Sequence, residues 1–266
     1  MRKILFLVLL ALPALLAYSV YASSQQAYQD YVFQGDLYRK AYSEFTIAKN
    51  EYEKFKSLAS ETIALDKTKQ MLTTRDSYVR SYLLLLFEKL VENPGLTSSV
   101  RNTSVSLLTA EGSFLEKHSA LVSAVGSISE TVTVSGQFES RYEPLVGIVE
   151  QTRTTLMLGS LNSLALSYDS TVAMAQNLIT TYRESLPPTK RATIDRWLLE
   201  IQNKRGLYEQ KIDIITRKNK ELAESDAYEI QRQSVEIGEE VAAARQFLLD
   251  GASFLKELVA ALKYEN

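Results

Sequence analysis

The residue types that carry most chemistry are scarce in this chain, and their spacing excludes more than it allows. Histidine occurs once, at His118, and cysteine not at all. Paired Glu-x-x-His sites, two-histidine zinc motifs and Cys/His zinc sites therefore cannot be built, and neither can a disulfide. His118 falls at helical spacing between Phe114 and Leu121, the setting of a packed or rim histidine rather than of a serine–histidine–acid triad. Ser253-Phe254-Leu255-Lys256 spells the Ser-x-x-Lys of penicillin-interacting enzymes, but it lies in a regular amphipathic helical pattern without that class's partner motifs. The glycines are isolated, so no phosphate-cradling loop is present. Leu186-Pro187-Pro188-Thr189-Lys190 partly matches a sortase signal; lysine stands where glycine is required, and the stretch reads as a helix break with Thr189 capping the next helix. Glu239-Glu240 reads as solvated surface. Asn102-Thr103-Ser104 spells a glycosylation acceptor, relevant only in a host with that machinery. No catalytic, cofactor-binding or metal-ligating residue is assigned.

Residues 1–22 carry the strongest signal. Arg2 and Lys3 precede a nearly uninterrupted apolar run from Ile4, and Val20-Tyr21-Ala22 offers the small-x-small pattern of a signal-peptidase site. The same run is about long enough to span a bilayer, with Tyr18 and Tyr21 at interfacial positions. A cleaved signal peptide and an uncleaved anchor both place residues 23–266 outside the cytoplasm. Pro13 and the polar Ser23-Ser24-Gln25-Gln26 favour cleavage. Without cysteine there is no lipid attachment at the cleavage site, and neither a later spanning segment nor a C-terminal anchor is expected.

Hydrophobic residues make up 45% of the chain and charged residues 23%, the balance of a folded domain. The net charge is −2, more acidic once Arg2 and Lys3 are removed, which argues against nucleic acid. The cluster Arg217-Lys218-Asn219-Lys220 reads as a solvated face paired with Glu221 and Glu224.

The elements behind these residues are helical. Only 10 glycines and 5 prolines occur in 266 residues. Asn93-Pro94-Gly95, where glycine tolerates positive φ, and Leu186-Pro187-Pro188 are firm stops; a kink or break is expected between Gly136 and Pro144. Steps of three and four recur in Ala227, Ile230, Ser234, Ile237, Val241, Ala244, Leu248, Gly251, Leu255, Leu258 and Leu262. They recur from Leu158 to Tyr182, and again in Phe114, His118, Leu121, Val125, Ile128 and Val132. A fourth seam is aromatic: Tyr28, Tyr31, Tyr38, Tyr42, Phe45 and Tyr52. Leu83 to Leu86 suggest a helix buried on most sides. The expectation is an all-α, elongated antiparallel bundle or coiled coil forming a single domain over 23–266. It contains three long helices, or up to six shorter ones if the chain folds back around Ser57–Lys67 and at Ser225-Asp226 and breaks between Gly136 and Pro144.

An N-terminal membrane segment followed by long amphipathic helices resembles, in pattern alone, the extracytoplasmic bundles of bacterial sensor proteins. No motif is shared, and neither a second spanning helix nor an output module is visible. The function expected is that of a non-enzymatic, exported structural or interaction protein, a rod, spacer or scaffold of the cell envelope. Its partners would be another protein or an envelope component, with membrane contact through residues 1–22 if uncleaved and no nucleic acid; the seams also admit self-association. The alternative is a sensor-like bundle holding a small molecule or lipid near Pro144 or the tyrosine seam. An aromatic-lined internal pocket would favour the second; a solid core with an exposed apolar stripe, the first.

Overall fold

The computed structural model describes residues 23–222 and 225–263; the segment read as signal or anchor lies outside them. Among the described residues the chain is helical without strands, in six α-helices: α1 (Ser24–Phe55), α2 (Leu58–Glu92), α3 (Ser98–Ala124), α4 (Ile128–Tyr182), α5 (Pro188–Glu221) and α6 (Ala227–Lys263). A 3₁₀ turn, Arg183–Ser185, closes α4. No described helix is long and apolar enough to cross a membrane.

The chain folds back at both positions where it was free to. Lys56 adopts φ 47°, the left-handed region, and Ser57 and Ser60 cap each other reciprocally to start α2. Asp226 Oδ1 accepts from the Glu229 amide, 2.9 Å, to start α6. The expected break between Gly136 and Pro144 is not there, because α4 runs unbroken for 55 residues through Pro144. The chain turns earlier, at Val125–Ser127, where two local bonds fix a helix start: Ser127 Oγ accepts from the Glu130 amide, and Glu130 Oε2 from Gly126 N. Thr189 is not the cap of α5; Pro187 and Pro188 occupy its first positions, where a missing N–H costs nothing.

At about 1.5 Å per residue α4 is about 80 Å long, and two cores lie along it. The first packs Leu83, Leu86 and Leu90 of α2 and Leu108 and Leu115 of α3 against Phe138 and Leu145. In the second, Leu161, Ala165, Tyr168, Ala175 and Ile179 meet α5 and α6. The seam predicted for α6 is largely buried: Ile230, Ile237, Ala244, Leu248, Leu255 and Leu258 are all 5% exposed or less. Ala227, by contrast, is exposed. Lys204–Asp250, Lys211–Glu240 and Lys218–Glu236 ladder α5 to α6 in antiparallel register, so Lys218 of the basic cluster pairs across helices. The seam predicted through α3 holds in part, with His118 and Val125 buried. Leu121 and Val132 are 48% and 69% exposed, while Leu108, Glu111, Leu115, His118 and Val122 form the buried row.

Gly251 illustrates how tightly α6 meets α4, since a Cβ there would sit 2.3 Å from the Tyr168 hydroxyl, which donates to the Ile201 carbonyl at 3.1 Å. Gly251→Val should therefore destabilise the fold by about 1–3 kcal/mol, read as a lowered Tm by circular dichroism. Gly238→Ala, on the same helix where a Cβ meets nothing within 4 Å, should leave Tm unchanged or raised.

Candidate functional site

The polar groups that matter sit where α2, α3 and α4 meet, and where the α2–α3 turn docks on α4. His118 lies in the interior. It is 1% exposed and bridges three helices: Nδ1 lies 2.6 Å from Asp76 Oδ2 on α2, and Nε2 2.9 Å from the Val134 carbonyl on α4. A carbonyl can only accept, so Nε2 carries a proton; facing a carboxylate, Nδ1 carries the other. The hydrogen bond to Asp76 raises the imidazole pKa above its ordinary value, against the opposing pull of burial and with help from Val134. Arg75 completes the cluster, its guanidinium 3.6 Å over the Phe138 ring, 3.5 Å from Asp76 and 3.9 Å from Glu139. Glu111, 1% exposed, is held through both oxygens by Arg141. Both carboxylates were invisible to the apolar reading of the seams, although Glu111 and His118 are seven residues apart on one face of α3.

The α2–α3 turn is built for contact rather than for unusual backbone. No described glycine has positive φ, contrary to the role expected of Gly95. A Cβ on Gly95 would fall 1.9 Å from the Gly159 carbonyl, and one on Gly159 would fall 2.6 Å from Asn93 Oδ1. Asn93 Nδ2 donates to the Leu156 carbonyl at 3.1 Å while its Oδ1 accepts from Gly95 N at 3.0 Å. Asn162 Nδ2 returns a bond to the Gly95 carbonyl, 2.8 Å. Arg101 gathers the carbonyls of Leu90, Asn93 and Leu96, neutralising the end of α2.

Beside this junction the first half of α3 stands away from α5, leaving an open cleft of about 770 Å³ floored by α4. Thr97, Ser99, Thr103 and Ser104 line one wall, Gln151, Thr155 and Asn162 the floor, and Tyr208, Asp213 and Asn219 the other wall. A second groove, about 710 Å³, runs between α1 and α3 over α2. Phe33 and Leu84 line it with the small Ser77, Ser81 and Gly112. Neither space is centred on Pro144 or on the tyrosine seam.

That seam divides by position. Tyr31 and Tyr38 stack on Tyr78 at 5.0 and 5.9 Å, and the Tyr31 and Tyr78 hydroxyls share a bond that helps push Tyr31 to about 12. Tyr28 and Tyr42 are more than half exposed, and the residues buried against α2 are the small Ala27, Gly35, Ala41 and Ala48. Leu84 is the one exposed member of the leucine run. Ser253 and Lys256 are both exposed on α6, and the Ser253 hydroxyl is spent on the Leu249 carbonyl. Among the described residues no group of three His, Asp or Glu side chains converges as a metal site would require.

No protein-family model matches this chain, and no curated protein or solved structure matches it either.

Because the folded-state pKa of His118 is raised, its contribution to stability is complete below the ordinary histidine value near 6.5 and is lost as pH rises through the folded value. Tm should fall across that interval. His118→Ala, which leaves Asp76 buried without its partner, should cost about 3–5 kcal/mol at pH 6 and flatten the dependence. Since the chain has one histidine, a single imidazole proton signal in NMR follows the titration directly.

Proposed function

We propose that this protein is an exported, non-enzymatic helical scaffold of the cell envelope, delivered or tethered by residues 1–22, and that it works by presenting helix faces to another envelope component. The observation that carries the reading is the apolar surface of α1. Tyr28, Val32, Phe33, Tyr42, Ile47 and Phe55 are between 42% and 62% exposed on a helix that packs chiefly against α2. Phe33 also faces Leu84, itself 41% exposed, across a groove floored with small residues. Such a three-sided groove suits an added amphipathic helix, whether from another protein or from a second copy. The two cores are filled, so these apolar groups are surplus to folding. A non-catalytic role is supported by His118, whose ring nitrogens are both engaged and out of reach of solvent.

A second reading, a ligand-binding bundle, is favoured by the polar cleft beside the α2–α3 turn. It lies where helices from both cores meet and falls in the size range of small-molecule sites.

Protease added to intact cells, or to spheroplasts where an outer barrier exists, should degrade the chain, and N-terminal sequencing should return Ser23 if the leader is cleaved. Intact protein in the cytosol would remove the export reading. Replacing Phe33 and Leu84 together by Asp should leave the stability within about 1 kcal/mol of wild type, as expected for exposed positions, while abolishing partner capture by crosslinking in the native envelope. Unchanged capture would remove the groove from the interface.

A further inference from the structure

We infer that the cleft between α3, α4 and α5 binds a neutral, hydroxyl-rich ligand, of which a short saccharide segment is the chemical class. The inference rests on the second reading above and uses residues distinct from the apolar groove.

The first observation is an unspent hydroxyl. Ser104 is 7% exposed, lines the cleft and has no hydrogen-bond partner within the protein. Thr103, Thr109 and Ser123 of the same helix each return a bond to the carbonyl four residues earlier, and Ser99, Ser106 and Ser113, which do not, are exposed where Ser104 is buried. The residue is buried but its hydroxyl oxygen still opens onto the cleft, so a ligand placed there can take up that bond in place of water.

The second observation concerns the amides, three of which are oriented the same way. Gln151 Nε2 donates to the Asn219 carbonyl at 3.1 Å, Asn162 Nδ2 to the Gly95 carbonyl at 2.8 Å, and Asn219 Nδ2 to Thr155 Oγ1 at 3.2 Å. Thr155 spends its own proton on the Gln151 carbonyl, 2.9 Å, so its oxygen can only accept from Asn219. Every one of these bonds requires nitrogen on the protein side. The carbonyl oxygens are what remains, and Asn219 Oδ1 is buried without a partner. The cleft is therefore rich in acceptors and calls for a ligand rich in O–H or N–H donors.

Charge decides between a polyol and a cation. Arg205 is held by Asp169 and Glu209, and Asp213 and Lys220 lie two turns apart on the face of α5 that lines the cleft. The lining carries two acids and two bases, with no excess to attract an ion of either sign. The start of α3 is no anion site, since Thr97 already caps Val100 N and carboxylates stand across the cleft. Leu107, Leu158 and Ile212 supply the apolar strip against which the C–H faces of a sugar ring can lie.

The test uses the full purified chain and isothermal titration with chitotetraose, cellotetraose and maltotetraose, beside spermidine, inorganic phosphate and oleate. At least one tetrasaccharide should bind. Ser104→Ala should weaken it about three- to tenfold, the value of one hydrogen bond, and Ser104→Leu should abolish it by filling the space. If the leucine variant does not fold, the alanine variant carries the comparison alone. Saccharide binding unchanged in Ser104→Ala overturns the assignment. Binding of spermidine, phosphate or oleate instead, weakened by the same substitution, overturns the saccharide class while leaving a ligand site in place. No binding by any probe removes both.

Discussion

The arrangement of the whole molecule depends on the contact between the α2–α3 turn and the middle of α4, where Gly95 and Gly159 let two backbones meet without side chains between them. A Cβ on Gly95 would overlap the Gly159 carbonyl at 1.9 Å, so no other residue is accommodated unless the helices separate. Asn93 and Asn162 then bond the two backbones in both directions, to the Leu156 and Gly95 carbonyls. These bonds tie the α2–α3 turn to the middle of α4 and fix the axial register of α2 on it. With that register set, Leu83, Leu86 and Leu90 face Leu145, and Arg75 reaches Phe138.

The two cores along α4 are solved by different chemistry. The α4–α5–α6 core is mainly aliphatic, laddered at its edges by ion pairs that are partly solvated and individually weak. The α2–α3–α4 core instead encloses Asp76, Glu111 and His118, each almost fully buried. A buried charge is tolerated only when paired, so each carboxylate demands a cation from a neighbouring helix in one position. His118 answers Asp76, and Arg141 answers Glu111. Apolar seams alone allow neighbouring helices to slide by a heptad; these pairs do not.

The same difference explains what the sequence revealed. Helical content, the stop at Asn93-Pro94-Gly95 and the burial of the α6 seam follow from local propensity and periodicity, which one chain displays openly. Pro144 misled because the lost bond and the ring's clash with the carbonyl four residues earlier are borne within α4, where Leu145 beside it is buried against α2 and α3. Gly126 carried the turn instead, and the cue was the Ser127-to-Glu130 spacing of a helix start. The α3 seam was drawn through His118 but continued to Leu121 rather than Val122 and left Glu111 out, because only pairing across helices makes that carboxylate an interior residue. Ser104, Asn162 and Asn219 could not be recognised at all, since what distinguishes them is which of their atoms the folded protein leaves unspent.

Both open spaces arise from one geometric mismatch. α4 is 55 residues long, whereas α3 has 27 and α5 34, so neither neighbour covers α4 along its whole length. Where α3 begins and α5 ends, they flank the same stretch of α4 without closing over it, and the exposed strip there is polar: Gln151, Thr155 and Asn162. α1 reaches the bundle mainly through α2, which leaves the groove toward α3 unfilled, with Phe33, Leu84 and Phe87 flanked by Asp30, Arg80 and Glu116. One molecule thus offers an apolar face suited to a helix and a polar cleft suited to a small hydroxylated group. They lie on opposite sides of α3, so occupancy of the two should be linked through the stability of that helix: a ligand bonded to Ser104 and a helix packed on Gly112 would each hold α3 against α2 and α4, favouring the other.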